Sequence, residues 1–217
     1  MTVFSLLRDA WFFYTRHLAV VLSLCLPLII LESLTRQALE HWSTEQTLPI
    51  QDLVAGLLFY PLYTAVLIVL MDARGKNQHP SNVWLLSQAF QRWLPLAVLV
   101  GFTSSLIILG GALYILPGIW VMVKASMSEY LLVQRGLSPL EALRDSFILT
   151  RGRFGLILSC VLLTLFPLMA LDVLSVQWTQ GDPLLRVLTD AVLGLGQSYT
   201  TVLFFRLYML IVPPVAS

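Results

Sequence analysis

"LPGIWVMVKASMSEYLLVQRG", Leu116 to Gly136, is apolar almost throughout, yet it holds Lys124 and Glu129 well inside its length. A run of about 20 apolar residues is what crosses the hydrocarbon core of a bilayer. A charge at the centre of such a run costs at least about 2.5 kcal/mol, so it faces the interior of a helix bundle or snorkels to an interface. The stretch therefore predicts a membrane helix with two internal charges to account for.

The rest of the chain has the same character. Hydrophobic residues make up 58% of the 217 and charged residues 12%, against roughly 25% charged in an average soluble domain. Apolar runs near 18–36, 53–71, 94–115, 117–134, 155–176 and 187–211 predict six transmembrane helices in one all-α integral membrane domain spanning residues 1–217. The first run does not read as a signal peptide. Phe4, Trp11, Phe12 and Phe13 crowd its would-be basic region, and "LESLTRQALE" offers no small-x-small cleavage site. Cys25 and Cys160 fall inside predicted spans and read as small core residues. A net charge of +1 distributed over short loops gives no basic patch of the kind nucleic acid needs.

Orientation follows from Lys and Arg. Arg8 and Arg16 precede the first span; Arg74, Lys76 and Arg92 lie between the second and third; Arg135, Arg144, Arg151 and Arg153 lie between the fourth and fifth. The opposite loops hold Arg36 and Arg186 beside Glu40, Glu45, Asp52 and Asp182. The positive-inside rule then predicts that both termini are cytoplasmic.

The segments on that side are more than loops. "SPLEALRDSFILTRG" has Ser138 and Glu141 at capping-box spacing, Pro139 at the first helical position and Gly152 where a helix stops. Val83, Leu86, Phe90 and Trp93 form a helical stripe, as do Phe4, Leu7, Trp11 and Tyr14. Three short amphipathic helices on the cytoplasmic surface are predicted. "LRDAW", "LSQAF" and "LRDSF" share Leu-x-x-small-aromatic, and each precedes a pair of spans. The pattern suggests a threefold parallel repeat with units 1–72, 80–134 and 138–212, or convergence of three interfacial helices on one composition.

Three stretches, "LPGIWVMVKASMSEYLLVQRG", "SPLEALRDSFILTRGRF" and "LFFRLYMLI", together resemble the YciC-like family of small bacterial inner-membrane proteins. The resemblance implies a multi-pass protein of the bacterial cytoplasmic membrane, without an established biochemical activity and with no catalytic residues to transfer. It does not explain Lys124 and Glu129.

Pro117 lacks a donor and Gly118 permits close backbone approach, so the pair most simply makes the tight external turn between the third and fourth spans, with a re-entrant break as the alternative. Counted from there, Lys124 lies about 10 Å into the bilayer, and Glu129 lies about 8 Å from Arg135 on the inner side. Five residues is about 140° of helical rotation, so the two should not pair with each other. Arg206, near the same end of its span, is the expected partner of Glu129; carbonyls, hydroxyls or water are expected around Lys124. In the last span Asp190, Gly194, Gln197, Ser198 and Thr201 share a face. Gly194 and Ser198 suit close helix packing, and Gln197 and Thr201 would line a polar path. His17, His41 and His79 are scattered, with no metal-ligand spacing, and no nucleophile–base set is evident. The expectation is a non-enzymatic membrane protein without cofactor or metal, contributing to envelope upkeep through membrane lipids or an envelope partner. The alternatives are a small transporter or channel near Lys124 and the last helix, and a membrane anchor subunit for another protein.

Overall fold

Out of water a backbone must satisfy its own hydrogen bonds, and helices do so within one segment. The computed structural model describes residues 3–42, 50–179 and 182–212, and every regular element among them is helical. Glu45 lies outside the described residues. In order the helices are α1 (Val3–Arg16), α2 (Leu18–Trp42), α3 (Ile50–Gly75), α4 (Asn82–Leu113), α5 (Ile115–Ala125), α6 (Ser128–Arg135), α7 (Pro139–Leu149), α8 (Phe154–Trp178) and α9 (Pro183–Ile211).

Four of them, α2, α3, α4 and α8, are long and apolar enough to cross a membrane. Each contains one internal proline: Pro27, Pro61, Pro95 and Pro167. Such a residue costs about 3 kcal/mol in a helix in water and is tolerated in membranes where neighbours supply hydrogen bonds. One turn before Pro61, the Trp93 indole N–H donates to the Leu58 carbonyl at 2.9 Å, tying α4 to α3.

Two of the six predicted spans take other forms. The run 117–134 is divided between α5 and α6, 11 and 8 residues long, each too short to cross alone at about 1.5 Å per residue. The run 187–211 is one helix, α9, but it falls outside the apolar set. It is central instead, packed against α1, α2, α3 and α8, with every residue from Thr200 to Phe205 buried. These four neighbouring helices let its inward face carry polar residues such as Ser198, Thr200 and Thr201, while Val192, Met209 and Leu210 stay exposed. Glycines allow that crowding: a Cβ on Gly194 would meet Ile29 Cγ2 at 2.5 Å, and one on Gly196 would meet Leu168 Cδ2 at 2.6 Å. Ser198 is fully buried, its hydroxyl donating to the Gly194 carbonyl at 2.9 Å. α2 runs antiparallel to α9, since Ile29 meets Gly194, Ser33 meets Asp190 and Glu40 meets Arg186.

The turn expected at Pro117–Gly118 is made by Tyr114, the single residue between α4 and α5, with extended backbone at φ −159° and ψ 151°. Pro117 sits in the first turn of α5, where its missing N–H costs nothing. Gly118 serves packing, because a Cβ there would stand 3.0 Å from the Gly111 nitrogen of α4.

Of the three surface segments, α1 and α7 are separate helices, whereas the middle one runs without interruption into α4. The shared Leu-x-x-small-aromatic pattern has one meaning in all three. Ala10, Ala89 and Ser146 are each fully buried, and so are Leu6, Leu85 and Ala142 four residues earlier, which share a helix face with them. The small residue lets the segment lie close, and Trp11 and Phe90 point outward. Tyr14, the last residue of the predicted α1 stripe, is buried against the bundle, whereas Phe4 and Trp11 are exposed. Its hydroxyl donates to the Leu195 carbonyl at 3.0 Å, and the Tyr199 hydroxyl donates to the Leu7 carbonyl at 3.0 Å. Burial, aided by nearby Cys25, pushes the Tyr14 hydroxyl up to about 12, so it remains a donor. The Ser138–Glu141 capping box forms, and hydrogen bonds from the Ser138 hydroxyl and N–H hold the Glu141 carboxyl below its ordinary range. Gly152, at φ +77°, makes the turn after α7.

Candidate functional site: a polar cavity at a broken helix

α5 and α6 are joined by Ser126 and Met127, both with right-handed backbone. The chain bends there without reversing, and backbone groups that a continuous helix would pair are released. Serine hydroxyls take the carbonyls one by one. Ser126 donates to Val123 O at 2.8 Å, Ser146 of α7 to Lys124 O at 2.6 Å, and Ser128 to Ala125 O at 2.6 Å. The Ser146 oxygen in turn accepts the Met127 N–H at 3.2 Å. Ser146 is thus a two-way clamp across the break, and it is the buried small residue of the third Leu-x-x-small-aromatic pattern.

The two charges of the opening stretch lie on either side of this bend. Lys124, in the last turn of α5, directs its Nζ to the Phe147 carbonyl at 3.5 Å. Phe147 is in the last turn of α7, where unpaired carbonyls and the helix dipole favour a cation. Glu129, in the first turn of α6, sits where the dipole favours an anion. Its carboxyl oxygens accept from the Tyr60 hydroxyl at 3.2 and 3.1 Å. The predicted Glu129–Arg206 pair does not form. The Arg206 guanidinium instead lies 5.2 Å from the centroid of the Phe13 ring, on the exposed side of α9.

Glu129 opens onto a cavity of about 140 Å³ between α3, α4, α5, α6, α8 and α9. Its polar lining includes Tyr60, Thr103, Ser126, Gln197, Thr200 and Thr201, and among the described residues no Lys, Arg or His is part of the wall. Three of the residues singled out in the sequence, Glu129, Gln197 and Thr201, therefore meet at one place, whereas Lys124, Arg206, Pro117 and Gly118 lie elsewhere. Tyr130 braces the wall by donating to the Thr201 carbonyl at 3.1 Å.

A second cavity of about 290 Å³ adjoins the first, and Gln197 and Leu165 line both. Glu32, Asp172 and Asp190 line this second chamber, and Arg36 is the one cation among its described lining residues. Arg36 pairs with Glu32 at 3.4 Å, and Ser33 donates to Asp190 at 2.5 Å. One turn beyond Arg36 and Asp190 along α2 and α9, Arg186 donates to both carboxylate oxygens of Glu40, with N···O distances of 2.5 and 2.7 Å. Among the described residues no three His, Cys, Asp or Glu side chains gather as a metal cluster.

No family model matches this chain, and comparison with curated proteins and with solved structures finds no match. The site is read from its own chemistry. Carboxyl oxygens, hydroxyls and an amide carbonyl in a pocket of about 140 Å³ are suited to a proton, to a few waters at about 30 Å³ each, or to a small cation. Sequence reasoning found Glu129, Gln197 and Thr201 but missed Tyr60, Ser146 and the helix break. "ASMS" within an apolar run was the available signal for the break.

Proposed function

We propose that the chain is a non-enzymatic, multi-pass protein of a bacterial cytoplasmic membrane that gives a proton or small monovalent cation a polar route through the bundle, with Glu129 as its innermost station. The observation that carries this reading is the polar cavity at the α5–α6 break. Broken helices bordering a cavity are how membrane proteins build ion sites, and an intramembrane carboxyl on such a cavity is a functional-site hypothesis by default. The continuation past Gln197 to a chamber with three carboxyls favours cations over anions.

In this reading the four apolar helices are joined as crossings by α9 and by α5 with α6, which together approach the roughly 30 Å core. Both termini lie in the cytoplasm, in keeping with Arg74, Lys76 and Arg206 bordering one cavity at one end and the acidic chamber lying toward the other. The equivalent burial of Ala10, Ala89 and Ser146 favours a threefold repeat. Proteoliposomes enclosing a pH-sensitive dye, under an imposed potential, test the function. Faster acidification than in empty liposomes, or potential-driven sodium or potassium uptake, is expected; equal rates for all three ions would refute it.

A second reading, upkeep of the envelope through lipid or partner contacts, has its own support. Phe4, Trp11 and Phe12 of α1 are 78%, 58% and 65% exposed, a surface for lipid or for a protein that this chain would anchor.

A further inference from the structure

We infer that the groove between α1 and the C-terminal turns of α9 is a binding site for the phosphate of an anionic phospholipid, centred on Arg206. Two cavities meet at this residue. One, of about 500 Å³, lies between Arg8 and Asp9 of α1 and Arg206 and Met209 of α9. The other, of about 290 Å³, lies between Phe13, Asp72, Arg74, Lys76 and Arg206. Four cations therefore face two carboxylates. One carboxylate, Asp72, is held by Lys76 at 2.7 Å.

Arg206 has no ion pair or hydrogen bond among the described residues. Its guanidinium carbon lies 5.2 Å from the Phe13 ring centroid, a cation–π contact that leaves the N–H donors without a described partner, and a guanidinium can give such donors to a phosphate in pairs. Arg74 adds a buried Nε without a hydrogen-bond partner. The charge is not dispersed: Arg74 and Arg16, after partial burial, lower the pKa of His17 at the α1–α2 junction.

The apolar wall selects a lipid over a soluble phosphate. Phe12, Met209 and Leu210 line the larger cavity and are 65%, 55% and 46% exposed on the bundle's outside. They continue the groove as a track for an acyl chain beside the cationic head. Basic pockets between membrane helices recognise anionic headgroups in this manner. The site is separate from the Glu129 cavity, and its test does not depend on ion flux.

The test is thermal unfolding of the full chain in uncharged detergent, titrated with phosphatidylglycerol, phosphatidylcholine, glycerol 3-phosphate or inorganic phosphate. Phosphatidylglycerol should raise the midpoint, and the other three should not. Arg206→Leu should raise the half-saturating concentration about fivefold, the loss expected for one cation near the headgroup, and Arg206→Lys, which keeps the charge but loses the paired donors, should raise it less. Arg8→Gln, at an exposed position of α1, gives the same direction should Arg206→Leu fail to fold. An equal midpoint shift with phosphatidylcholine or with either soluble phosphate would overturn the assignment, as would an unchanged phosphatidylglycerol response in the folded variants.

Discussion

Lys124 and Glu129 are five residues apart in one apolar stretch, and the molecule treats them in opposite ways. On the Lys124 side α5 meets the end of α7, and the groups released by the helix break are answered: Ser146 clamps both strands of the bend and the ammonium reaches the Phe147 carbonyl. On the Glu129 side α6 meets α3 and α9 around open space, with one hydroxyl, that of Tyr60, directed at the carboxyl. A half-buried charge that reaches a helix-end carbonyl is architecture, whereas a charge beside a cavity lined with oxygens is available to a ligand.

The largest effect should come from the clamp itself. Ser146→Ala leaves the Lys124 carbonyl and the Met127 N–H unanswered, and at about 1 to 3 kcal/mol for each buried unsatisfied group it should destabilise the fold by about 2 to 6 kcal/mol in detergent unfolding. A loss within about 0.5 kcal/mol would mean that the bend does not depend on α7. Lys124→Met comes next. Losing a cation at a helix C-terminus costs about 1 kcal/mol, so the variant should be slightly less stable, and a clearly stabilised protein would reassign Lys124 to function.

The absent ion pair offers a finer test. Glu129→Gln and Arg206→Leu should be additive within about 0.5 kcal/mol, as independent sites are. A coupling above about 1 kcal/mol would restore the pair that the sequence suggests. The smallest effect concerns His17, whose pKa is lowered by burial and then by Arg74 and Arg16. The folded state disfavours the imidazolium, so this contribution is complete above the ordinary value near 6.5 and is lost as pH falls toward the depressed one. His17→Gln should make acid destabilisation slightly shallower below that pH, and a steeper loss would reverse the sign.

Much of this was legible from the residues. Apolar length alone predicts α2, α3, α4 and α8, and local capping chemistry predicts α7 with its Ser138–Glu141 box and Gly152 turn. The break between α5 and α6 was hidden because serine is tolerated in membrane helices when it bonds back to its own carbonyls. Only the third partner, Ser146, distinguishes a bend from a decorated helix, and it arrives from another element. Pro117 misled because a proline that could make a turn is equally at home in the first turn of a helix. Glu129 was recognised as a charge in search of company, but depth along the chain pointed to Arg206. Tyr60, which answers it, has no charge and lies in a run that reads simply as apolar.

The most direct measurement sets the two charges side by side: ion flux into proteoliposomes bearing wild type, Lys124→Met or Glu129→Gln at equal protein content. Glu129→Gln keeps the shape and an oxygen that can accept from Tyr60 while removing the titratable charge. It should lower the flux at least about tenfold, a loss of about 1.4 kcal/mol or more, whereas Lys124→Met should conduct like wild type. Full flux with Glu129→Gln, or its loss with Lys124→Met alone, would contradict the division of the two charges into one that builds and one that binds.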